Sequence, residues 1–341
     1  TEMTALTGDG TALRLSLASG GRTREVGARC MVLATGRDGL GGPFIPQFIR
    51  NLDKRGWAHS SEAIDFAALK GKTVAVIGAG ASAVDNAAEA LEAGAARVAM
   101  LVRRAEMPRF NRGMGIGSPG MWAGYHRLSL PQRLSIVQHI EENGIPPPHG
   151  SMLRCSRHKN FSLITNCAPA SARLSGDKVL IDTNRGLLAF DFVIVATGFN
   201  VDWSKRPELS AIAAHVLKWK DRFTPTTGRP FAQAEDPFLG PDLQFLEKTP
   251  GEAPWLGRIH CFTFPAYTSH GAISGDIPGV SAGAERVADG IAASLFAEDY
   301  ERNFARLLAY NTPELTGDEF SVAENADDFL AIGKTAGKDG A

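Results

Sequence analysis

The sequence predicts an α/β fold in which a Rossmann-like nucleotide domain is inserted into a second, incomplete dinucleotide-binding domain. Three observations carry this. A glycine fingerprint, Gly78-Ala-Gly80-Ala-Ser-Ala83, sits between an apolar run and an Ala-rich stretch. An apolar run ending in Ala-Thr-Gly occurs twice, at Ala34-Thr35-Gly36 and at Ala196-Thr197-Gly198, once on each side of the fingerprint. The length, 341 residues, exceeds what one hydrophobic core usually organises, so two domains are expected.

The fingerprint has the context its chemistry needs. Thr73 to Ile77 is β-branched and apolar apart from Ala75, as a strand buried on both faces should be. Gly78 permits a tight turn, Gly80 lets backbone approach a pyrophosphate, and Ala83 lets the following helix pack close to the strand. The backbone N–H groups of Ala81 and Ser82 then fall at a helix N-terminus, where phosphate binds. The nucleotide is read from the end of the next strand. A chain selecting NAD usually carries an acidic residue there, whereas this one runs Arg97-Val-Ala-Met-Leu-Val-Arg103-Arg104. Two guanidinium groups suit a 2′-phosphate, so NADPH is expected, with Arg103 and Arg104 as its selectors.

Bulk properties exclude several classes. A formal net charge of −1 gives no general attraction to nucleic acid or anionic membrane. No uninterrupted apolar run approaches the roughly 20 residues of a membrane span. Four cysteines (Cys30, Cys155, Cys167 and Cys261) form no C-x-x-C pair and no metal spacing, which disfavours a thiol–disulfide reductase and a metal site. With no signal-peptide pattern, the cytosol is the expected compartment. Cys167 and Cys261 read as small core hydrophobes.

Along the chain, residues 1–36 read as strands and turns, closing on a strand from Ala28 to Gly36, and 37–70 read as a polar connection. The nucleotide domain is expected over 71–195, with Gly94 as a helix C-cap and an irregular insertion at about 109–166 around a helix from Pro131 to Asn143. Such an insertion serves equally as a substrate wall or as packing. Strands are expected at 178–182 and 189–198. The second part of the outer domain, 196–333, holds a helix over 281–296, with apolar residues at i+4 spacing, and another near 299–310. The Gly/Lys tail, 334–341, is expected to be disordered.

This layout resembles the flavin-containing monooxygenase-like flavoproteins, which have two dinucleotide-binding domains and include Baeyer–Villiger and N-hydroxylating relatives. The matching text is Ala34-Thr35-Gly36, Gly56-Trp-Ala-His59-Ser60, the fingerprint with Ser82, Ala196-Thr197-Gly198, and Ser274-Gly275-Asp276-Ile-Pro-Gly279. The resemblance implies FAD beside NADPH, with both Ala-Thr-Gly elements at the domain junction and Gly275-Asp276 at the ribityl chain of the flavin. It also implies hydride transfer from NADPH to flavin and activation of molecular oxygen toward a small-molecule substrate. A homodimer is compatible with this reading. Arg55 stands where the Baeyer–Villiger fingerprint wants glycine, which argues against that branch. The family's first glycine fingerprint, which holds the FAD pyrophosphate, is absent, so the chain reads as the larger C-terminal part of such a flavoprotein. A flavin-dependent reductase without oxygen transfer and a non-catalytic nucleotide-binding fragment stay open as alternatives. No catalytic residue is read with assurance. His59 is the one candidate, and a loop His followed by Ser favours a structural role. His270 reads as a loop hydrogen-bonder near Asp276.

Overall fold

The computed structural model describes residues 1–10, 12–224 and 232–322 of the chain; the expected tail at 334–341 lies outside them. Two compact units are present, 1–291 and 292–341. The first opens on an antiparallel meander of β1 (Glu2–Gly8), β2 (Leu13–Ser19) and β3 (Arg22–Ala28), followed by β4 (Met31–Leu33) and β5 (Gly41–Pro43). The strand expected from Ala28 to Gly36 is therefore split. Only Met31 to Leu33 pairs onward, in parallel with Ile259–Cys261, while Ala28 belongs to the meander.

The chain then runs through α1 (Gln47–Arg50), β6 (Trp57–His59), β7 (Thr73–Ile77), α2 (Ala81–Glu92) and β8 (Arg97–Leu101). The stretch read as a polar connection thus supplies an edge strand. Its run Trp57-Ala-His59 is wholly buried but is too short for an alternation to show in the sequence. Next come α3 (Pro119–Gly124), α4 (Leu130–Asn143), α5 (His149–Ser156) and β9 (Phe161–Ile164). Of the segment read as an insertion, only α3, α4 and their flanking turns depart from the nucleotide unit. Helix α5 lies against α2, with the Cys155 thiol 3.3 Å from the Val84 carbonyl, and β9 pairs in parallel with β8.

A second meander, β10 (Pro169–Ser175), β11 (Lys178–Thr183) and β12 (Gly186–Phe190), leads into β13 (Phe192–Val195) and β14 (Phe199–Val201). Strands β6, β13, β7, β8 and β9, in that order, form one parallel sheet. Its central strand β7 turns Val74 and Val76 into one apolar cluster, with Ala83, Ala87 and Met100, and Ala75 and Ile77 into another, with Val179, Ile181 and Val195. This two-faced burial explains the unbroken apolar text of the strand.

The remaining elements are α6 (Ser210–Ala213), α7 (Trp219–Arg222), β15 (Ile259–Cys261), α8 (Tyr267–His270), α9 (Ile277–Glu298) and α10 (Tyr300–Ala309). A third cluster joins Leu6, Leu13, Leu33, Phe245, Ile259 and Cys261, so the first meander, β4 and β15 share a core distinct from those of the nucleotide sheet. Cys167 and Cys261 are both fully buried in apolar clusters. Helix α10 carries Tyr300, Phe304, Leu307 and Leu308 exposed. Among the described residues, no helix is long and apolar enough to cross a membrane.

The chain passes from β4 toward the five-stranded parallel sheet and back through an antiparallel ribbon. Phe199, Asn200 and Val201 of β14 pair with Pro43, Gly42 and Gly41 of β5. A Cβ on Gly41 would lie 1.9 Å from the Asn200 carbonyl oxygen, a clash with backbone that no rotamer relieves. Gly41→Ala is therefore expected to destabilise the protein by about 1–3 kcal/mol through forced overpacking. Urea denaturation would show it as a lower midpoint; an unchanged midpoint would mean the ribbon can open without cost.

Candidate functional site

The glycine turn lies at the carboxyl end of β7, between β13 and β8, where the chain direction across the sheet reverses and α/β sheets bind ligands. Gly78 has φ +141°, and a Cβ there would lie 2.3 Å from the Ala196 carbonyl oxygen, so internal packing alone demands glycine. Gly80 differs. Its φ is −85°, and a Cβ would meet no atom within 4 Å. Nothing in the chain's own packing calls for glycine at 80, and open space lies before it. Gly80 is the N-cap of α2, with no side chain capping the helix and no acidic residue in its first turn. The N–H groups of Ala81 and Ser82 therefore begin a helix suited to an anion. Ala83 is fully buried beneath the turn.

The two arginines after β8 part company. Arg103 is exposed, and no hydrogen bond or ion pair engages it among the described residues. Arg104 donates from Nη1 to the Glu142 carbonyl (2.6 Å) and from Nη2 to the Glu141 carbonyl (3.0 Å), so it caps the C-terminus of α4. That tie spans 37 residues of chain and leaves no mark in the sequence.

The two Ala-Thr-Gly elements end strands of different sheets, β4 and β13. Both glycines take left-handed conformations, φ +86° at Gly36 and +80° at Gly198, and a Cβ at either would meet no atom within 4 Å. Thr197 donates from Oγ1 to the Phe44 carbonyl, and Phe44 N–H donates to the Gly198 carbonyl (2.9 Å). His59 is buried and completes this knot. Its Nδ1 accepts from the Ser61 N–H (3.2 Å), so the ring proton resides on Nε2 and is donated to the Gly198 carbonyl (3.1 Å). Burial lowers its pKa, and Phe199 packs edge-on to its ring. Both nitrogens are engaged in holding the loop.

The residue after each of three motif glycines reaches one cavity of about 610 Å³: Arg37 after Gly36, Phe199 after Gly198, and Asp276 after Gly275. Arg37 stacks its guanidinium 4.0 Å over the Phe264 ring; burial lowers its pKa and the nearby Asp276 opposes that. Tyr267 also lines the cavity, its hydroxyl pushed up to about 12 by burial and by the charges of Asp276 and Glu141. Helices α3 and α4 close another side with Met121, Trp122, Ile140 and Glu141. Glu141 is shifted upward by burial, against a hydrogen bond from Gln233. Asp236, buried and accepting from Thr268 Oγ1 at 2.5 Å, is pushed up to about 8 by burial.

Tyr267, Glu141, Gln233 and Asp236 lie outside any motif, and the sequence did not reveal them. Arg37 had a signal, its place directly after an Ala-Thr-Gly. His270 stands apart from the cavity lining: its Nε2 donates to the Gly240 carbonyl (2.8 Å), its Nδ1 accepts from Arg286, and its ring stacks on His126.

Comparison with known proteins agrees with this architecture. Residues 2–145 match the family model of L-lysine 6-monooxygenase/L-ornithine 5-monooxygenase. The chain is 33% identical over 307 residues to the FAD-dependent urate hydroxylase of Xanthomonas campestris pv. campestris, across 89% of this chain and 64% of that protein. It therefore spans just under two thirds of that relative. The reduced ornithine hydroxylase of Pseudomonas aeruginosa superposes with a TM-score of 0.61 at 17% identity, covering 86% of this chain and 70% of the other. The L-lysine 6-monooxygenase of Pseudomonas syringae gives 0.60 at 16%, with the same coverage of each chain. The resemblance carried by the motifs is thus borne out. In sequence the chain resembles the flavin monooxygenases, and its fold is that of the ornithine and lysine hydroxylases it superposes on.

The His270 cluster generates a pH dependence. Burial, Arg286 and His126 hold the His270 pKa at about 3, far below the ~6.5 of an unfolded histidine. Below pH ~6.5 the unfolded chain takes up a proton that the folded one refuses. The stability is therefore complete above pH ~6.5 and is lost as pH falls toward 3, by up to ~1.4 kcal/mol per unit. His270→Gln, which cannot titrate, is expected to flatten this acid limb in urea titrations at pH 7.5, 6 and 5. An unaltered slope would assign the proton uptake to other groups.

Proposed function

We propose that this protein is part of, or itself, an NADPH-dependent FAD monooxygenase that hydroxylates a small molecule with molecular oxygen. The observation that carries the reading is the convergence of Arg37, Phe199 and Asp276, each delivered by a motif glycine, on one cavity. The relatives whose likeness supports it include a urate hydroxylase and a Kutzneria ornithine N-hydroxylase whose structure holds reduced FAD, NADP+ and L-ornithine.

The residues present fit NADPH and the ribityl end of FAD, while the glycine fingerprint that would hold the FAD pyrophosphate is not among them. Open space before Gly80, the uncapped start of α2 and the exposed Arg103 suit the pyrophosphate and 2′-phosphate of NADPH. On the flavin side, Gly36, Gly275 and Asp276 would border the ribityl chain, with Arg37 beside them. Bound there, FAD would supply hydride acceptance and oxygen activation, chemistry that no side chain of the cavity can provide. The chain's own part is to orient and to exclude water. The ribbon sets the nicotinamide-side loop against the flavin-side loop, and Met121, Trp122 and Ile140 roof the cavity with apolar surface. His59 belongs to this scaffold as a positioning residue. The domain limits proposed are those read from the sequence, with the nucleotide unit as the inserted body. A cytosolic location and self-association as a homodimer are part of the same proposal, the latter consistent with the exposed apolar residues of α10.

The deciding experiment follows NADPH and oxygen consumption by the FAD-loaded full-length protein and analyses the products by mass spectrometry. Incorporation of one oxygen atom into substrate is expected; stoichiometric peroxide with every candidate substrate would make it a reductase or oxidase instead.

Nucleotide binding gives two further expectations. Arg103→Ala should weaken NADPH binding by some tens-fold, about 2 kcal/mol, and leave NADH nearly unchanged. Arg104→Ala should act mainly on stability, because its guanidinium is committed to α4; calorimetry with both nucleotides reads the difference, and equal losses for NADPH and NADH on Arg103→Ala would overturn the assignment. Gly80→Val should abolish NADPH binding in a protein that melts normally, since the new side chain meets only open space. Retained binding would reduce the fingerprint to a turn.

A further inference from the structure

Resting on the monooxygenase reading above, we propose that residues 109–117, between Arg104 and α3, form a strap that closes over the cavity when NADPH binds, with Arg109 and Arg112 turning to its phosphates and Phe110, Met114 and Ile116 covering the cavity mouth. The strap is moored at both ends and loose between them. On one side Arg104 is bonded to the Glu141 and Glu142 carbonyls, and on the other Arg286 holds the Trp122 and Ala123 carbonyls. Asn111, Gly113, Met114 and Gly117 line the cavity, so the strap already forms part of its rim.

The first observation is apolar surface left in water. Phe110 is 63% exposed, Met114 77% and Ile116 42%, although Met121, Trp122 and Ile140 offer apolar surface in the cavity beside them. The second is glycine that this conformation does not require. Gly113, Gly115 and Gly117 take no left-handed φ, and a Cβ at any of them would meet nothing closer than 3.4 Å. Neither the backbone nor the packing calls for glycine, so its freedom serves a second conformation. The third is weak attachment. The hydrogen bonds of the segment are local, from the Met114 N–H to the Asn111 carbonyl (3.2 Å), from the Ile116 N–H to the Gly113 carbonyl (3.3 Å) and from Ser118 Oγ to the Ile116 carbonyl (3.3 Å). Among the described residues, no hydrogen bond ties 109–117 to the rest of the protein. A groove of about 260 Å³ between Arg109, Phe110 and Arg112 and the end of α4 at Glu142 and Asn143 leaves room for movement. Sparse ties of this kind mark the segments that open and close around ligands.

The occupant is read from charge. Arg109 and Arg112 are exposed, and no hydrogen bond or ion pair engages either side chain among the described residues. Arg112 only rests 5.1 Å over the Phe110 ring. The strap begins shortly after Arg103, so a dinucleotide held there by its 2′-phosphate brings further phosphate to two unengaged guanidinium groups. A neutral substrate alone would give them nothing to grip. Closure therefore follows the nucleotide, and it excludes water from the cavity once NADPH is in place.

The test is limited trypsin digestion of the FAD-loaded full-length protein, with cleavage after Arg109 and Arg112 followed by mass spectrometry and NADP+ binding measured by calorimetry. Saturating NADP+ is expected to slow both cleavages at least tenfold. The double substitution Met114→Ser with Ile116→Ser removes apolar surface that only the closed strap buries. It should melt as the wild type does and lose at least fivefold of the protection at saturating NADP+. Bound NADP+ with unslowed cleavage would overturn the proposal, and so would a lack of NADP+ binding. Equal protection in wild type and double variant would overturn it too, because the nucleotide would then shield the arginines without movement of the strap. Reduction of the flavin by NADPH without air, followed separately by absorbance, tests the monooxygenase reading. Its absence would sink that reading while digestion with NADP+ still judged the strap.

Discussion

The structure depends on the antiparallel ribbon through which the chain crosses twice between its two sheet systems. Gly41 to Pro43 and Phe199 to Val201 make this crossing as a paired ladder rather than as two loose strands. The pairing admits no side chain at Gly41, and it is flanked by the bonds from Thr197 and Phe44 and by the buried His59 on Gly198. The backbone groups at the crossing thereby find partners, as buried backbone requires. The ring of His59 is a structural bolt in this arrangement, which explains why a histidine occupies a fully enclosed position without a charged partner.

From the ribbon outward, the geometry of the cavity follows. The strand endings of β4 and β13 belong to different sheets, yet each turns through a left-handed glycine and hands its next residue to the same space. A left-handed residue reverses the chain in minimal length, so Arg37 and Phe199 stand close to the strands that position them. Asp276 arrives from the third direction, just before α9. A site assembled from strand ends held by a common ribbon keeps its lining residues in fixed relative positions.

The segment holding α3 and α4 is fastened to the loop around α8 and to α9 by polar anchors. Arg133 donates to the Ser269 carbonyl (3.1 Å), and Arg286 of α9 donates to the Trp122 and Ala123 carbonyls at the end of α3. Gly279 lies against this region so closely that a Cβ would sit 2.0 Å from the Ala272 carbonyl oxygen and 3.2 Å from the Trp122 indole nitrogen. Helices α3 and α4 are therefore a fixed wall of the cavity. Residues of this segment that pack against the loops before α9 also line the cavity.

The amino-acid sequence by itself determined the elements whose signals are local. An apolar run meeting Gly78 and Gly80 reads as strand, turn and helix because each step is set by neighbours within a few residues, and the i+4 apolar spacing of Val287 and Ile291 likewise announced a helix. Short or composite pieces escaped: β6 is three residues long, and β9 takes its identity from pairing with β8. Only the tertiary structure decided how partners were shared out. Arg103 and Arg104 are equivalent as text, but the carbonyls at the end of α4 claim one and leave the other exposed. Gly78 and Gly80 look alike in the fingerprint, yet a neighbouring carbonyl demands the first while open space explains the second. Glu141, Gln233 and Asp236 carry no motif at all, because a cavity wall is made by residues that meet across the fold, and the free energy of burial and pairing depends on that meeting rather than on sequence spacing.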